Sequence, residues 1–520
     1  MSLEIFPTYP RIRADQVEGL YFVSPMDYGA RGDGINDDWN ALLKAMQRAQ
    51  TTSFRVVDGG GRVYRITSAP AEPNTFPDGI RLRNMHLVVD RPGALFLDGC
   101  TDLVFEDVTF DFANIGYGLR TGGVRMQRLH FRRCVIKNVA STPGWLVGSA
   151  IAQYIGVDDF LFADCVAVSP RGVSVTDGGT YRILDSYIEA TSDNAFSGRF
   201  FNTGAKRVEV RGCTLIGERM GAEIWGGGAP RNSVKQVVFE RCTIRSGSLP
   251  DAYGLSIVIG AQATVRDCEI TSTGAYGIEA GTNYTLIHGC RVKGSPENGI
   301  ASGESDYLSI EGCVIEGAQK GIRLENDGDA HYFTVMGNVI LEPTLIGISD
   351  DSVGRANGGR IIGNAIVRTG NGTGTWHGIS LASQTPALIV MGNTVRFSGS
   401  GYSNAIGIRV NSTTPLILQG NIVDAPTPIL FNSGASSRDP SMILGLLSYA
   451  TLPNEESKGL RILQSPNAFP YLALPVYSTT SLPSEAVSGT IALVSNPAAG
   501  KSHVVYKKGT TWYYADGTPV

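Results

Sequence analysis

A short unit recurs along this chain: apolar, any, apolar, any, any, marker, any, apolar. Val208, Val210, Cys213 and Leu215 form one copy, and Val237, Phe239, Cys242 and Ile244 form the next. Successive markers then fall at Cys268, Cys290, Cys313, Asn338, Asn364, Asn393 and Asn421; backwards they are Ser186, Cys165, Cys134, Val108 and Met85. The spacing runs from 21 to 31 residues with a mean near 26. Self-similarity at such a period implies a solenoid.

The unit also says which kind. Alternation on both sides of the marker is a strand signal, because successive side chains on a strand face opposite ways. Two residues, not one, separate the second apolar position from the marker, which makes a corner between two strands. Upstream of most markers stands Gly-Ile or a relative, as in Gly254-Leu255, Gly277-Ile278 and Gly321-Ile322. That gives a third strand per turn. So few residues leave no room for a crossover helix, so each strand pairs in parallel with its copy one turn on. The expected fold is all-β, a parallel β-helix over residues 25–425.

Composition fits and excludes. Sixty-four glycines in 520 residues suit a chain made of corners. A net charge of -4 argues against a nucleic-acid footprint. No run of eighteen apolar residues occurs, so no membrane insertion is expected. Residues 1–21 lack an apolar secretory core and carry Glu4, Asp15 and Glu18, so synthesis and folding in a cytosol are expected. Seven of the eight cysteines are markers, which predicts an inward stack of reduced thiols rather than disulfides. No CxxC pair or Cys/His cluster has metal-ligand spacing, so neither metal nor cofactor is expected. The four Asn markers predict a hydrogen-bonded ladder at the same corner.

In chain order, residues 1–24 read as a tail, a linker or a strap. Trp39, Leu42, Leu43 and Met46 then mark one face of a helix over about 37–50, with Asn36 as its N-cap. It is expected to cover the open first coil. After Val423 the repeat fails. Residues 426–475, with the apolar run Met442 to Leu447, read as cover for the last coil or as a subunit interface. Residues 476–520 read as a small β tip.

Ahead of the helix stand Asp27-Tyr28-Gly29-Ala30, Gly32-Asp33-Gly34 and Asn36-Asp37-Asp38. This opening resembles that of the pectate-lyase-like superfamily, and in particular bacteriophage tailspikes and related polysaccharide depolymerases. The resemblance implies a right-handed β-helix, a homotrimer, a bacterial polysaccharide as partner, and attachment to a virion through the N-terminus. It implies residence in a virion tail, with export by a non-classical route as the other possibility. The motif carries no catalytic residue, so reaction chemistry does not transfer with it.

Sugar hydrolysis needs two carboxylates about 5 Å apart for retention or about 6.5–9.5 Å for inversion. Equivalent residues of adjacent coils lie ~4.8 Å apart. The outward position after the Gly-Ile pair reads Ser174, Phe196, Glu223, Ser256, Glu279, Ala301 and Arg323. Glu223 and Glu279 stand two coils apart in it. Asp193 lies one coil before Glu223, and Asp177 in a nearby loop. Trp225 offers a stacking surface for a pyranose, which Tyr253 and Tyr276 extend; Arg199 suits an acidic sugar. Arg323 is a substrate contact or an ion-pair partner of Glu279. The expected acid and base are Asp193 and Glu223, with Glu279 or Asp177 as substitutes. Three functions remain open at this level: a glycoside hydrolase, a lyase acting on a uronate by β-elimination, and a glycan-binding adhesin without catalysis.

Two weaker motifs fail. Gly500-Lys501-Ser502 imitates a P-loop end, but Ser495 stands where glycine is needed. Asn326-Asp327-Gly328-Asp329 reads as a polar turn rather than a calcium loop.

Overall fold

The computed structural model describes residues 22–431, apart from 69–75, 92–94, 98–99, 114–117, 123, 141–147, 227, 231, 304, 325–331, 351–357, 382–387 and 412–415, together with five strands between 447 and 514. The body is a parallel β-helix of about thirteen turns, with one α-helix among the described residues. Each turn supplies the two strands on either side of the corner and the Gly-Ile strand. The Gly-Ile strands stack into a fourteen-stranded parallel sheet, from Leu95–Phe96 to Thr427–Phe431. Thirteen steps of ~4.8 Å make a stack roughly 60 Å long.

The corner has one backbone solution, used throughout. The residue before each of the fourteen markers has positive φ, from Asn84 at 52° to Gly420 at 60°. That left-handed residue turns the chain so that the marker points inward. Only glycine takes this conformation without steric cost, and Asn and Asp tolerate it better than most. The position is Asn84, Asp107, Asp164, Asp185 or Asp267 in five turns, Arg133 and Arg241 in two, and glycine at Gly212 and in every turn from Gly289 onward.

The markers are buried and in register. Cys213, Cys242 and Cys268 donate their thiols to the carbonyls of Arg211, Glu240 and Arg266, which occupy paired positions on consecutive coils. All eight cysteines are free and buried. Burial first, then the Cys134 neighbour, pushes the Cys165 thiol up, so it stays protonated. From Asn338 the ladder is polar. Each Asn Nδ2 donates to the Oδ1 of the next coil at 2.9 Å for three consecutive steps, and to a carbonyl of the coil before at 2.8–2.9 Å.

The glycine before each inward Ile is needed for a close approach. A Cβ on Gly277 would lie 2.2 Å from Val292 Cγ1 and 2.5 Å from the Gly299 carbonyl oxygen. The strand thus presses against the corner strand of its own turn.

At the N-terminal end, helix α1 spans Trp39–Gln50 and buries Trp39, Leu42, Ala45, Met46 and Ala49. The N-cap is Asp38, not Asn36. Residues Asp33–Asp37 form a strand beside Val63 and Arg65, which takes Asn36 out of capping range. Asp38 closes the preceding loop instead, accepting from Arg31 N–H at 2.7 Å and Gly32 N–H at 3.2 Å. At the other end the solenoid continues past residue 425. Thr427–Phe431 pairs with Asn404–Val410, and Leu447–Ser448 with Ile422–Asp424. Most of the expected tail 1–24 and most of 426–475, including Met442 to Leu446, lie outside the described residues. The C-terminal strands Val476–Ser478, Ile491–Asn496, Lys501–Lys508 and Thr511–Tyr514 form a four-stranded sheet. Lys501 and Ser502 are strand residues there, not part of a phosphate loop.

Candidate functional site

Cα pairing defines the outward column on the Gly-Ile sheet: Arg120, Ala152, Ser174, Ser197, Glu223, Ser256, Glu279, Ala301 and Arg323. Six of the seven expected members are in place. Phe196 is not; it pairs with Ala222, points inward and is fully buried. Ala195 replaces the usual glycine in that coil, so the column member is Ser197.

Glu223 is the centre of the arrangement, with 9 % of its surface exposed. Its Oε2 accepts from Asn194 Nδ2 at 2.9 Å, Ser197 Oγ at 3.2 Å and an Arg199 guanidinium nitrogen at 3.3 Å. Arg199 Nε also donates to Ser197 Oγ at 3.1 Å. All three donors come from the preceding coil. A nearly buried carboxylate needs such partners, since an unpaired buried charge is costly. Three fixed donors on one oxygen also fix the direction of the other.

Two coils on, Glu279 Oε2 accepts from Ser256 Oγ at 2.6 Å. Ser256 stands between the two glutamates in the column. Two steps of ~4.8 Å separate their backbones by ~9.6 Å. Tyr253 and Tyr276 stack beside them, with ring centroids 4.7 Å apart and planes within 8°. Burial first, then the charge of Glu279, pushes the Tyr253 phenol up to about 12. Trp225 is 40 % exposed, and Phe201 meets it edge-on at 6.2 Å. Arg199 pairs with Trp225 in the strand register. Arg323 lies in the column two coils beyond Glu279, with Ala301 between them.

The other two expected carboxylates are engaged elsewhere. Asp193 binds Arg171 of the preceding coil at 2.9 Å, and among the described residues no hydrogen bond joins it to Glu223. Asp177 accepts from the backbone N–H groups of Phe201, Asn202 and Gly204 at 3.2, 2.9 and 2.8 Å. It is the anchor of the 201–204 loop. Adjacent to this loop lies a cavity of about 530 Å³ lined by Arg125, Gln153, Tyr154, Thr176, Asp177 and Phe201, among others.

Sequence reasoning placed Glu223 and Glu279 two coils apart in one outward column, as found, and set Asp193 on the face of Glu223 and Trp225, where the structure pairs it with Arg171 instead. It missed Asn194, Ser197 and Ser256 as the groups that hold the glutamates, and it missed the cavity. Aligning Ala195 with the glycine column would have revealed Ser197. Among the described residues no group of three His, Cys, Asp or Glu side chains could hold a metal ion, and no helix is long and apolar enough to cross a membrane. The stretch 325–331, which contains the expected polar turn Asn326-Asp327-Gly328-Asp329, lies outside the described residues.

Residues 231–395 match the family model described as the right handed beta helix region. The solenoid is a right-handed β-helix. No curated protein matches the chain by sequence. Among solved structures it is similar to tailspike protein 3 of bacteriophage CBA120, at 14 % identity and a TM-score of 0.37, covering 96 % of this chain and 70 % of that one. It is also similar to the catalytic unit of an alpha-1,3-glucanase from Streptomyces thermodiastaticus, at 16 % identity and a TM-score of 0.40, covering 78 % and 69 %. A third is the mannuronan C-5 epimerase AlgE4 A-module of Azotobacter vinelandii, at 13 % and 0.30, covering 82 % and 97 %. At these identities and scores none transfers a residue role or a substrate to this chain.

Proposed function

We propose that this protein is a depolymerase that hydrolyses glycosidic bonds in a bacterial surface polysaccharide, with Glu223 and Glu279 as its carboxylate pair. The supporting observation is the column Glu223–Ser256–Glu279, flanked by Trp225 on one side and the stacked Tyr253 and Tyr276 on the other. Two carboxylates about two rungs apart suit the wider, inverting geometry, in which a water enters beside the base. Glu223, oriented by Asn194, Ser197 and the Arg199 cation, is the base that takes a proton from that water. Glu279 gives its proton to the leaving glycosidic oxygen. Water oxygen bonds to the anomeric carbon as the bond to the leaving sugar breaks, and the aromatic rings hold the pyranose. Asp193 and Asp177, bound to Arg171 and to loop amides, serve structure in this reading.

β-Elimination on a uronate would need a strong base in place of this pair. A homotrimer carried on a virion tail through residues 1–24 is the assembly proposed for it.

The test is digestion of a panel of bacterial surface polysaccharides. New reducing ends without ultraviolet-absorbing unsaturated sugars are expected. Glu223→Gln and Glu279→Gln should each stop cleavage and keep binding, while Asp193→Asn should still cleave. Unsaturated products, or full activity in both glutamine variants, would overturn the assignment; binding that never leads to cleavage would mark an adhesin.

A further inference from the structure

On another side of the solenoid, the strand before the corner carries three tyrosines in one outward column. Gln262, Tyr284, Tyr307, Tyr332 and Gly358 pair in register on successive coils. The three rings stack, with centroids 4.9 and 5.4 Å apart and planes at 3° and 15°. Each ring is roughly half exposed. Large aromatic groups left in water on consecutive coils mark a surface that binds something. Stacking uses the inner ring faces, so the column presents ring edges and phenol hydroxyls. Its last ring also presents a face. A Cβ on Gly358 would lie 3.5 Å from the Tyr332 ring, and glycine puts no side chain there.

Beside the rings runs a groove of about 360 Å³, within the roughly 300–1,000 Å³ of small-molecule sites. Its floor is the neighbouring outward column, Thr264, Leu286, Ser309 and Thr334. Among the described residues no charged side chain lines it. Elsewhere that column is charged. Between Glu209 and Arg360 come Val238, Thr264, Leu286, Ser309 and Thr334, all neutral. One column further, Glu311 accepts from Ser309 Oγ at 2.5 Å and lies 3.8 Å from His288. An ionic ligand would be desolvated here without a counter-charge, which is costly. A neutral, hydroxylated ligand fits. Thr264, Thr334 and the three phenols each donate and accept, and Ser309 keeps lone pairs to accept with. Leu286 and the rings take C–H surface. That combination matches a sugar, with hydroxyls at its rim and C–H groups on its faces. From the Gln262 coil to the Tyr332 coil there are three steps of ~4.8 Å, or ~14 Å, which is long enough for linked sugars.

We propose that this groove is a second glycan site, separate from the Glu223 column, which holds an uncharged stretch of the same polysaccharide without cutting it. It lacks the carboxylate pair that hydrolysis needs. The strand Tyr284–His288 follows Tyr276–Ala280, which carries Glu279, after one short bend. The two sites therefore share a coil on different sides of the solenoid. A polymer repeats its units, so one molecule offers ligands to both, and the second contact forms at a raised effective concentration. The inference rests on the glycan reading above but not on its hydrolytic step.

Two triple variants at Tyr284, Tyr307 and Tyr332 test it. Tyr→Phe at all three keeps the stack and removes the hydroxyls; Tyr→Ala at all three removes the stack. The probe is whichever panel polysaccharide the wild-type protein cuts or binds, with binding measured by calorimetry on the Glu223→Gln background. The Phe variant should bind polymer roughly tenfold more weakly and the Ala variant more weakly still. In the cleaving protein KM for polymer should rise by a similar factor, with kcat and hydrolysis of the shortest fragments unchanged. Sedimentation velocity should be the same for all forms. Unaltered polymer affinity and KM in the folded Phe and Ala variants, with cleavage intact, would overturn the second site alone. Altered sedimentation with unaltered polymer affinity would assign the face to contacts between copies of this chain and overturn it too. Polymer that is bound but never cut, with binding lost in both variants, would support this site and overturn the hydrolytic reading. A wild-type protein that neither cuts nor binds any polysaccharide would overturn both.

Discussion

The inward corner column and the outward column of the Gly-Ile sheet pass through the same coils and behave oppositely. Inward, the text is nearly constant: Cys from Cys213 to Cys313, then Asn from Asn338 to Asn421. Outward, it reads Ser, Ser, Glu, Ser, Glu, Ala, Arg from Ser174 to Arg323 with no period. Each inward side chain has its own copy above and below as surroundings, so one solution is repeated. Each outward side chain faces whatever lies beyond the sheet. Chemistry is therefore written where the repetition lapses, and substitutions in the two columns should fail in different assays.

The largest effect belongs to the outward column. Glu223→Gln should lower kcat by roughly 10²- to 10⁴-fold, the usual contribution of a general base, with little change in the unfolding midpoint. Product release followed by reducing-end assay, beside denaturant unfolding followed by circular dichroism, reads both. A large fall in stability with retained activity would erase the contrast.

Next comes the inward column. Asn364 gives Nδ2 to the Val335 carbonyl and to Asn393 Oδ1, and its own Oδ1 takes two bonds from Asn338. Asn364→Ala strands several of these buried groups at about 1–3 kcal/mol each. A loss of at least about 3 kcal/mol is expected in chemical denaturation, with catalysis by the folded protein unchanged.

These two columns also explain what was legible. The corner, the thiol stack and the Asn ladder could be read because like neighbours enforce like residues, and a repeat leaves a trace in one sequence. The cap helix was legible for the same kind of reason, its apolar spacing. Its N-cap was not, because the strand pairing of Asp33 with Val63 is a tertiary contact that overrides the local preference of Asn36. Around Glu223 the column position was readable and the direction of the neighbouring side chains was not. Asp193 and Asn194 are adjacent; one takes Arg171 and the other takes Glu223. Alternation sends neighbours different ways, and an Ala in place of Gly at 195 hid the register.

A swap within the inward column sharpens the comparison at smaller cost. Cys313 already gives its N–H to Asn338 Oδ1 at 2.9 Å, as the Asn markers do with theirs. Cys313→Asn would extend the ladder by one rung, with the Ile287 carbonyl as second acceptor where the thiol now points. It should be neutral within ~1 kcal/mol. Cys242→Asn, with cysteines on both sides, has no Asn Oδ1 to receive its amide and should cost about 1–3 kcal/mol. Equal costs for the two in denaturant unfolding would mean that the ladder is packing alone.

The smallest effect sits in the cap, which unlike the corner columns is held by carboxylates. The backbone N–H groups of Asn36 and Ile35 donate to Asp33 at 3.0 and 2.9 Å and hold its pKa down to about 2, below the ordinary 3.8. A depressed carboxylate pKa stabilises the folded state above the ordinary value, and that contribution is lost as pH falls through the depressed one. The window is therefore about pH 4 down to about 2. Hydrogen exchange of the Ile35 and Asn36 amides should accelerate across it relative to base-catalysed expectation, while amides of the Asn ladder keep their protection. Asp33→Asn should flatten most of this dependence. Asp37 should retain a part: burial works against its charge, but donors from Ser68, Thr67 and Trp39 outweigh it and hold it below the usual range. Equal acid sensitivity in the cap and the ladder would show that the two ends of the solenoid open as one unit.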